Sequence, residues 1–411
     1  MGLNAPNLFQ SKKEWIWFVV LALVLIGLQL LFYYHCYQTF ISQERQILRA
    51  TVIAQYPKND YLVLKLQSKR LTFYTTTRED IKDLTNFEVD IMLFLKNHTI
   101  TFRDYLSTFY APSYILRAYT VKNKPLEFIR SQHSQTMSQE FFAAIFLAKP
   151  ISAQLREVVA NFGVSHLIAL SGFHLGILAA ILYFLLRPPY RFFQIRYFPY
   201  RYELVDLGFI VTVILGGYLY LTDFPPSLVR AYGMFVVGWL LLLFGVSVLT
   251  YGFLFFVVAI LVVIDVRLLF SLSFFFSVCG VFYIYMVLDW LRNRNKIIAT
   301  LGITLWVFIV MMPITHYFFD QTSYYQLLSP LLTIAFSFFY LLALGLHAIG
   351  LGGWLELPLP QNLPSWSYKT PTWFYYSYLA LSLLAIHNRF KPFLLIVAVV
   401  FVFFLYLTPF L

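Results

Sequence analysis

The sequence predicts a polytopic α-helical membrane protein with a small β domain outside the membrane. Three observations carry that prediction. Of 411 residues, 60% are hydrophobic and 12% charged, against about 25% charged in a soluble domain; no single core buries so much apolar surface. Apolar runs of spanning length recur from residue 165 onward. Between residues 35 and 135 the pattern breaks, with frequent charges of both signs and short apolar stretches. The net charge of +11 fits loops that collect Lys and Arg on the cytoplasmic side, and equally fits attraction to a polyanion or to anionic lipid.

Residues 1–34 read as an N-terminal anchor. The run from Trp15 to Tyr34 follows Lys12 and Lys13 and leaves through Phe32, Tyr33 and Tyr34, as an interfacial aromatic belt does. A signal peptide has a shorter apolar core and a small-residue cleavage site, so the anchor is expected to be uncleaved, with a cytoplasmic N-terminus. Residues 35–135 then fall on the outer side. Alternating segments at Leu48–Tyr56, Tyr61–Leu66, Leu71–Thr77, Phe87–Leu95 and Thr99–Phe102 are expected strands. Five short strands suit an OB-like β-barrel, with a generic β domain as the alternative. Lys58, Tyr61, Lys65, Lys69, Arg70 and Phe73 interleave cations with rings there. That pattern holds single nucleic-acid strands and is also common in β domains at large.

Residues 136–163 place Phe141, Phe142, Ile145 and Phe146, then Leu155, Val158, Val159 and Phe162, at helical spacing. They read as amphipathic helices at the membrane surface. Residues 164–411 are nearly continuous membrane. Spans are expected at 165–186, 204–221, 228–249, 250–267, 268–289, 297–316, 327–349, 373–388 and 392–410; with the anchor they make about ten. The positive-inside rule supports this order through Arg187, Arg191, Arg196 and Arg201, and again through Arg292, Arg294 and Lys296. Arg389 and Lys391 fall on the wrong side. Either the proline-rich stretch 350–372 re-enters the membrane, or one late span is miscounted.

Three constellations carry polar chemistry into this apolar domain. The first is HLIALSGFHLGIL, 166–178. A lipid-facing helix has no use for His166, Ser171 and His174, because polar groups at membrane depth cost free energy unless they meet a partner or a wet cavity. Gly172 and Gly176 form a small-x-x-x-small pair, which admits close approach of another helix. Packing of these side chains against neighbouring backbone is the alternative. The second is Asp223-Phe-Pro-Pro-Ser-Leu-Val-Arg-Ala, where Arg230 enters the first turn of a span. A cation there opposes the helix dipole and calls for a carboxylate or a phosphate, unless it snorkels to the interface. The third is Asp265, at the outer end of an apolar span and able to pair with Arg230 or with Arg267.

These residues resemble the ComEC family of competence proteins, inner-membrane DNA channels of natural transformation. His166, Leu167, Ala169, Ser171, Gly172, His174 and Gly176 match its densest signature, and Pro226, Ser227, Arg230 and Ala231 match a second stretch. Asp265 resembles the family's Asp-Pro, but Val266 replaces the proline; Ser271-Leu-Ser-Phe-Phe-Phe-Ser follows as in a family Phe-x-Leu-Ser-Phe region. The resemblance spans roughly residues 35–345. It implies an OB-like domain in the periplasm and a path for single-stranded DNA lined by His166, Ser171, Gly172, His174, Gly176, Arg230 and Asp265. It further implies a periplasmic DNA receptor, a separate cytoplasmic ATPase or single-strand-binding proteins, and membrane lipid as partners. The chain ends at Leu411 without the metallo-β-lactamase-like domain of longer members, so a short form is expected.

No G-x-x-x-x-G-K-[ST] and no H-x-H-x-D-H occurs, and Cys36 and Cys279 form no C-x-x-C. No catalytic residue, cofactor or metal is therefore assigned. Two rival functions remain in view. A small-solute or lipid-linked substrate transporter would be equally polytopic without needing the β domain. A membrane serine hydrolase would need Ser171 as nucleophile, yet no G-x-S-x-G elbow is present and Ser171 and His174 lie three apart on one helix.

Overall fold

The computed structural model describes residues 11–57, 61–68, 71–77, 87–95, 100–119, 124–170, 172–222, 224–245, 250–291, 293–358, 360 and 363–410. Lys58, Lys69, Arg70, Ser171 and Asp223 lie outside these residues. Helix α1 (Lys12–Ile41) starts at Ser11, whose hydroxyl accepts the Glu14 N–H at 3.2 Å. It is apolar around its whole circumference and exposed along most of it, as expected of a helix surrounded by lipid.

Its last turn leads into a sheet of β1 (Arg45–Pro57), β2 (Leu62–Gln67), β3 (Thr72–Thr77) and β4 (Glu88–Phe94). Side chains alternate across a strand, so Val52, Leu64, Leu66, Phe73, Val89, Ile91 and Leu93 share one wholly buried face, joined by Phe40 from α1. Of the expected strand Thr99–Phe102, Thr99 lies outside the described residues, and Thr101 and Phe102 form a helix start instead. Thr101 and Asp104 form a capping box on α2 (Phe102–Leu106), and the Thr-x-x-Asp spacing is its sequence signature. Two strands follow, β5 (Phe109–Tyr110) and β6 (Ser113–Tyr119). The order is β5-β3-β2-β1-β4-β6, with β5 parallel to β3 and every other neighbour antiparallel. Between β5 and β6, the Ala111 N–H donates to Tyr74 O and the Phe94 N–H to Pro112 O, both at 3.0 Å. One segment thus pairs with β3 at its start and with β4 at its end.

The helices that follow are α3 (Lys124–Arg130), α4 (Thr136–Leu147), α5 (Ala153–Asn161), α6 (Ser165–Ile168), α7 (Gly172–Tyr197), α8 (Glu203–Leu221), α9 (Pro226–Leu243), α10 (Tyr251–Ile264), α11 (Leu272–Leu291) and α12 (Lys296–Phe318). A two-residue strand β7 (Gln321–Thr322) precedes α13 (Ser329–Ala348), and β8 (Trp366–Ser367) precedes α14 (Thr372–Leu384) and α15 (Lys391–Leu407). Each expected span contains a helix. Among the described residues, six helical stretches are long and apolar enough to cross a membrane: those of α1, α7, α8, α12, α13 and α15. The apolar stretches of α9, α10 and α11 are shorter.

One expectation needs correction. The stretch 136–163 does not form surface helices throughout: Phe142, Ala143, Ala144, Ile145, Phe146 and Leu147 of α4 are all buried, against Phe336, Tyr340 and Ala343 of α13. A helix buried on every side is an interior element, and the spacing of its aromatics only mimicked an amphipathic stripe. β8 pairs with β7 beyond the C-terminal end of α12, whereas Lys391 lies over Trp290 at the end of α11, the end of the bundle that carries Arg294 and Lys296.

Packing closes a circuit. α7 touches α8 and α9, α9 touches α11, α11 touches α12, and α12 touches α13. α13 meets α7 again through His174.

Candidate functional site

The first constellation is not one continuous span. Gly163, at φ +66°, turns the chain after α5, and its carbonyl accepts the Ser329 hydroxyl at 2.9 Å. Glycine adopts such a φ at no steric cost. α6 is a single turn, Ala169 is extended, and α7 begins at Gly172. The break is seated on one stripe of α13. Ser329 holds Gly163, the Thr333 hydroxyl lies 3.3 Å from His166 Nε2, and His174 stands edge-on to Phe336 and Tyr340 at 5.5 and 4.9 Å. Positions 329, 333, 336 and 340 recur at helical spacing.

The motif's residues then divide. His174 is wholly buried among those rings and bonded to the Leu167 backbone. His166, Gly172 and Gly176 are exposed. The small-x-x-x-small expectation holds at one end only. A Cβ on Gly172 would lie 3.7 Å from that of Ala231 on α9, whereas one on Gly176 would meet nothing within 4 Å. Among the described residues, nothing therefore packs directly on Gly176.

Arg230 is 3% exposed. Pro225 and Pro226 start α9 and put Arg230 in its second turn. The guanidinium reaches across to the α11 junction, donating to Ser271 Oγ at 3.4 Å and Ser273 Oγ at 2.5 Å, over the Phe274 ring at 5.7 Å. Its Nε is buried without a hydrogen-bond partner, and among the described residues no carboxylate pairs with it. The region containing Ser271 and Ser273 was singled out in the sequence, but their role as Arg230 partners was not.

Asp265 does not join Arg230. Both its oxygens bind Arg267, at 2.6 to 3.1 Å, and it caps the short 3-10 helix 266–270. Arg267 lies over Tyr33 of α1 at 5.4 Å, while Gln29 of α1 donates to Val263 O and accepts the Val266 N–H. This cluster fastens the anchor to the bundle.

In the β domain, Tyr61 is 42% exposed and Lys65 lies 5.7 Å over Tyr74. Phe73 is a correction: it is fully buried and stacks on Phe109 at 5.6 Å, so it offers no surface to a base. Strand alternation sends Phe73 inward with Thr75 and leaves Tyr74 outside. Phe73→Ala is expected to destabilise the domain by about 3–5 kcal/mol, read as lost protein or a lowered unfolding midpoint. Unchanged stability with weakened DNA binding would count against this placement.

One polar centre was missed, because its members are distant in sequence. His133 Nε2 faces His347 Nε2 at 2.8 Å, and His347 Nδ1 donates to Ala343 O at 2.7 Å. His133 Nδ1 faces Glu356 at 3.6 Å. Burial pushes His133 below the ordinary histidine value, against the opposing pull of Glu356. Glu356 is held below the usual carboxylate range: desolvation works against this, but bonds from Ser134 and Ser138 outweigh it. Both groups have depressed values in the fold. Their stabilisation is therefore present above the unfolded-state values and lost as pH falls through the folded ones. Exchange of the Gly352 amide, which donates to Gln132 Oε1 at 2.8 Å, is expected to rise below about pH 6, after correction for intrinsic rates. His133→Asn should remove that rise; its persistence would place the titrating group elsewhere.

A family model described as Competence protein matches residues 148–410. No curated protein and no solved structure matches the chain.

Proposed function

Because the chain belongs to the Competence protein family, we propose that it is an inner-membrane channel passing single-stranded DNA into the cytoplasm during natural transformation. The observation that carries this reading is Arg230, a buried guanidinium whose side-chain partners among the described residues are neutral hydroxyls. A cation held away from water without counter-charge is prepared for an anion, and a phosphate backbone delivers anions in series. Hydroxyl partners keep the site weak enough for release, as conduction requires.

In this reading the exposed residues His166, Gly172 and Gly176 face the path, and His174 positions the broken helix against α13. The closed circuit of α7, α9, α11, α12 and α13 supports a passage within the bundle. The pairing of residues 109–119 with both β3 and β4 supports an OB-like external domain. That domain would take a strand from a periplasmic receptor, and a separate cytoplasmic ATPase or single-strand-binding proteins would draw it in. The chain itself is read as a conduit without catalysis.

The test is entry of fluorescent DNA in cells with and without the gene. Label that accumulates outside the inner membrane in the deletion strain supports the channel. Unchanged cytoplasmic entry without the gene would remove it and bring the solute transporter forward.

A further inference from the structure

At the far end of α7 lies a surface that the channel reading has not used. α5 touches the β domain, where Arg156 Nη1 donates to the Tyr56 hydroxyl at 3.2 Å, and leads through α6 into α7. From Gly172, α7 runs 26 residues, ~39 Å at the helical rise, away from that contact. Its final turns, beyond Pro188 and Pro189, read YRFFQIRY.

Tyr190 and Gln194 tie this extension down: the Tyr190 hydroxyl donates to Asp206 at 2.6 Å, and Gln194 Nε2 to Arg201 O at 2.6 Å. The rest stands open. Phe192 is 68% exposed, Phe193 50% and Ile195 75%, and Arg191 and Arg196 are exposed beside them. The nearby carboxylates are occupied, Glu203 by Arg187 at 2.7 Å and Asp206 by Arg201 at 3.1 Å. Arg191 and Arg196 have no carboxylate partner among the described residues.

The arrangement of these side chains separates two classes of ligand. A helix seated in a lipid surface puts its apolar residues on one face and its cations on the other. At 100° per residue, the open arc here runs Arg191, Ile195, Phe192, Arg196, Phe193, Tyr197. Arg196 sits between Phe192 and Phe193 and over the Tyr197 ring at 6.0 Å, so the cations are not segregated from the apolar side chains. Cations interleaved with rings match a single strand, which presents phosphates and unstacked bases together.

We propose that the C-terminal extension of α7 is an exit platform for single-stranded nucleic acid, with Arg191 and Arg196 on phosphates and Phe192 and Phe193 stacking on bases. The proposal rests on the channel reading and adds a second contact, on the side of the bundle opposite the β domain. A strand held there is hindered from sliding back before cytoplasmic proteins take it.

The test uses the full chain in nanodiscs of neutral lipid, with photoreactive benzoylphenylalanine in place of Phe192 and fluorescent oligo(dT) as probe. A DNA adduct at residue 192 is expected. Arg191→Ala with Arg196→Ala should reduce the adduct about fivefold or more and flatten the salt dependence of binding, by roughly 1.4 in the log–log slope for two phosphate contacts. Adducts to lipid alone, in protein that still binds the probe through Arg230, would overturn the platform and leave the channel standing. Full-length protein that binds no probe anywhere would overturn both.

Discussion

Arg230→Met is expected to stop DNA entry while leaving the protein folded, and the two effects should run in opposite directions. Holding a guanidinium at 3% exposure against two serine hydroxyls costs desolvation that no carboxylate among the described residues offsets. Removing the charge strands no buried anion there. Thermal stability in detergent should stay level or rise, by about 1–4 kcal/mol where methionine fills the volume. Cytoplasmic entry of labelled DNA should fall by about tenfold or more, since a charge-assisted contact to phosphate is lost. Arg230→Lys keeps the charge but loses the planar fork and should fall between. Collapse of the Arg230→Met protein would instead make Arg230 a structural tie between α9 and α11. Normal uptake from a stable variant would remove it from the path.

That contrast marks what was legible in the sequence. Long apolar runs announce helices directly, and alternation located β1 to β4 within a residue or a few of their ends. The error at Thr99–Phe102 came from reading β-branched residues as strand when Thr101 and Asp104 spell a cap. β5 and β6 escaped because Tyr114, Leu116 and Arg117 are exposed on a strand whose apolar residues do not alternate cleanly. At the site, the types of residue were visible but their partners were not. Asp265 had two arginines within reach on paper, and local geometry gave it Arg267 two residues on. His174 carried the polar signal of a lining residue, yet it is sealed by Phe336 and Tyr340, more than 160 positions away. Such pairings depend on how α13 crosses α7, which no local pattern encodes.

Gly176→Leu offers the sharpest separation of path from packing, and it is expected to block DNA entry without harming the fold. Glycine inside a helix costs about 1 kcal/mol relative to a good helix former, so leucine should be neutral or stabilising if space permits. Space does permit, because a Cβ there meets no atom within 4 Å. The added side chain then projects into whatever Gly176 faces. If that is the route taken by the strand, an isobutyl group on the same helix face as Gly172 obstructs it, and uptake should fall steeply. If it is lipid, nothing changes. Gly217→Leu on α8 supplies the matched control: it too is an exposed glycine within a helix, with nothing within 4 Å of its Cβ, but it lies outside the motif. Blocked entry in Gly176→Leu with normal entry in Gly217→Leu assigns the open side of α7 to the path. Equal uptake in both places Gly176 against lipid and moves the passage away from the α6–α7 break.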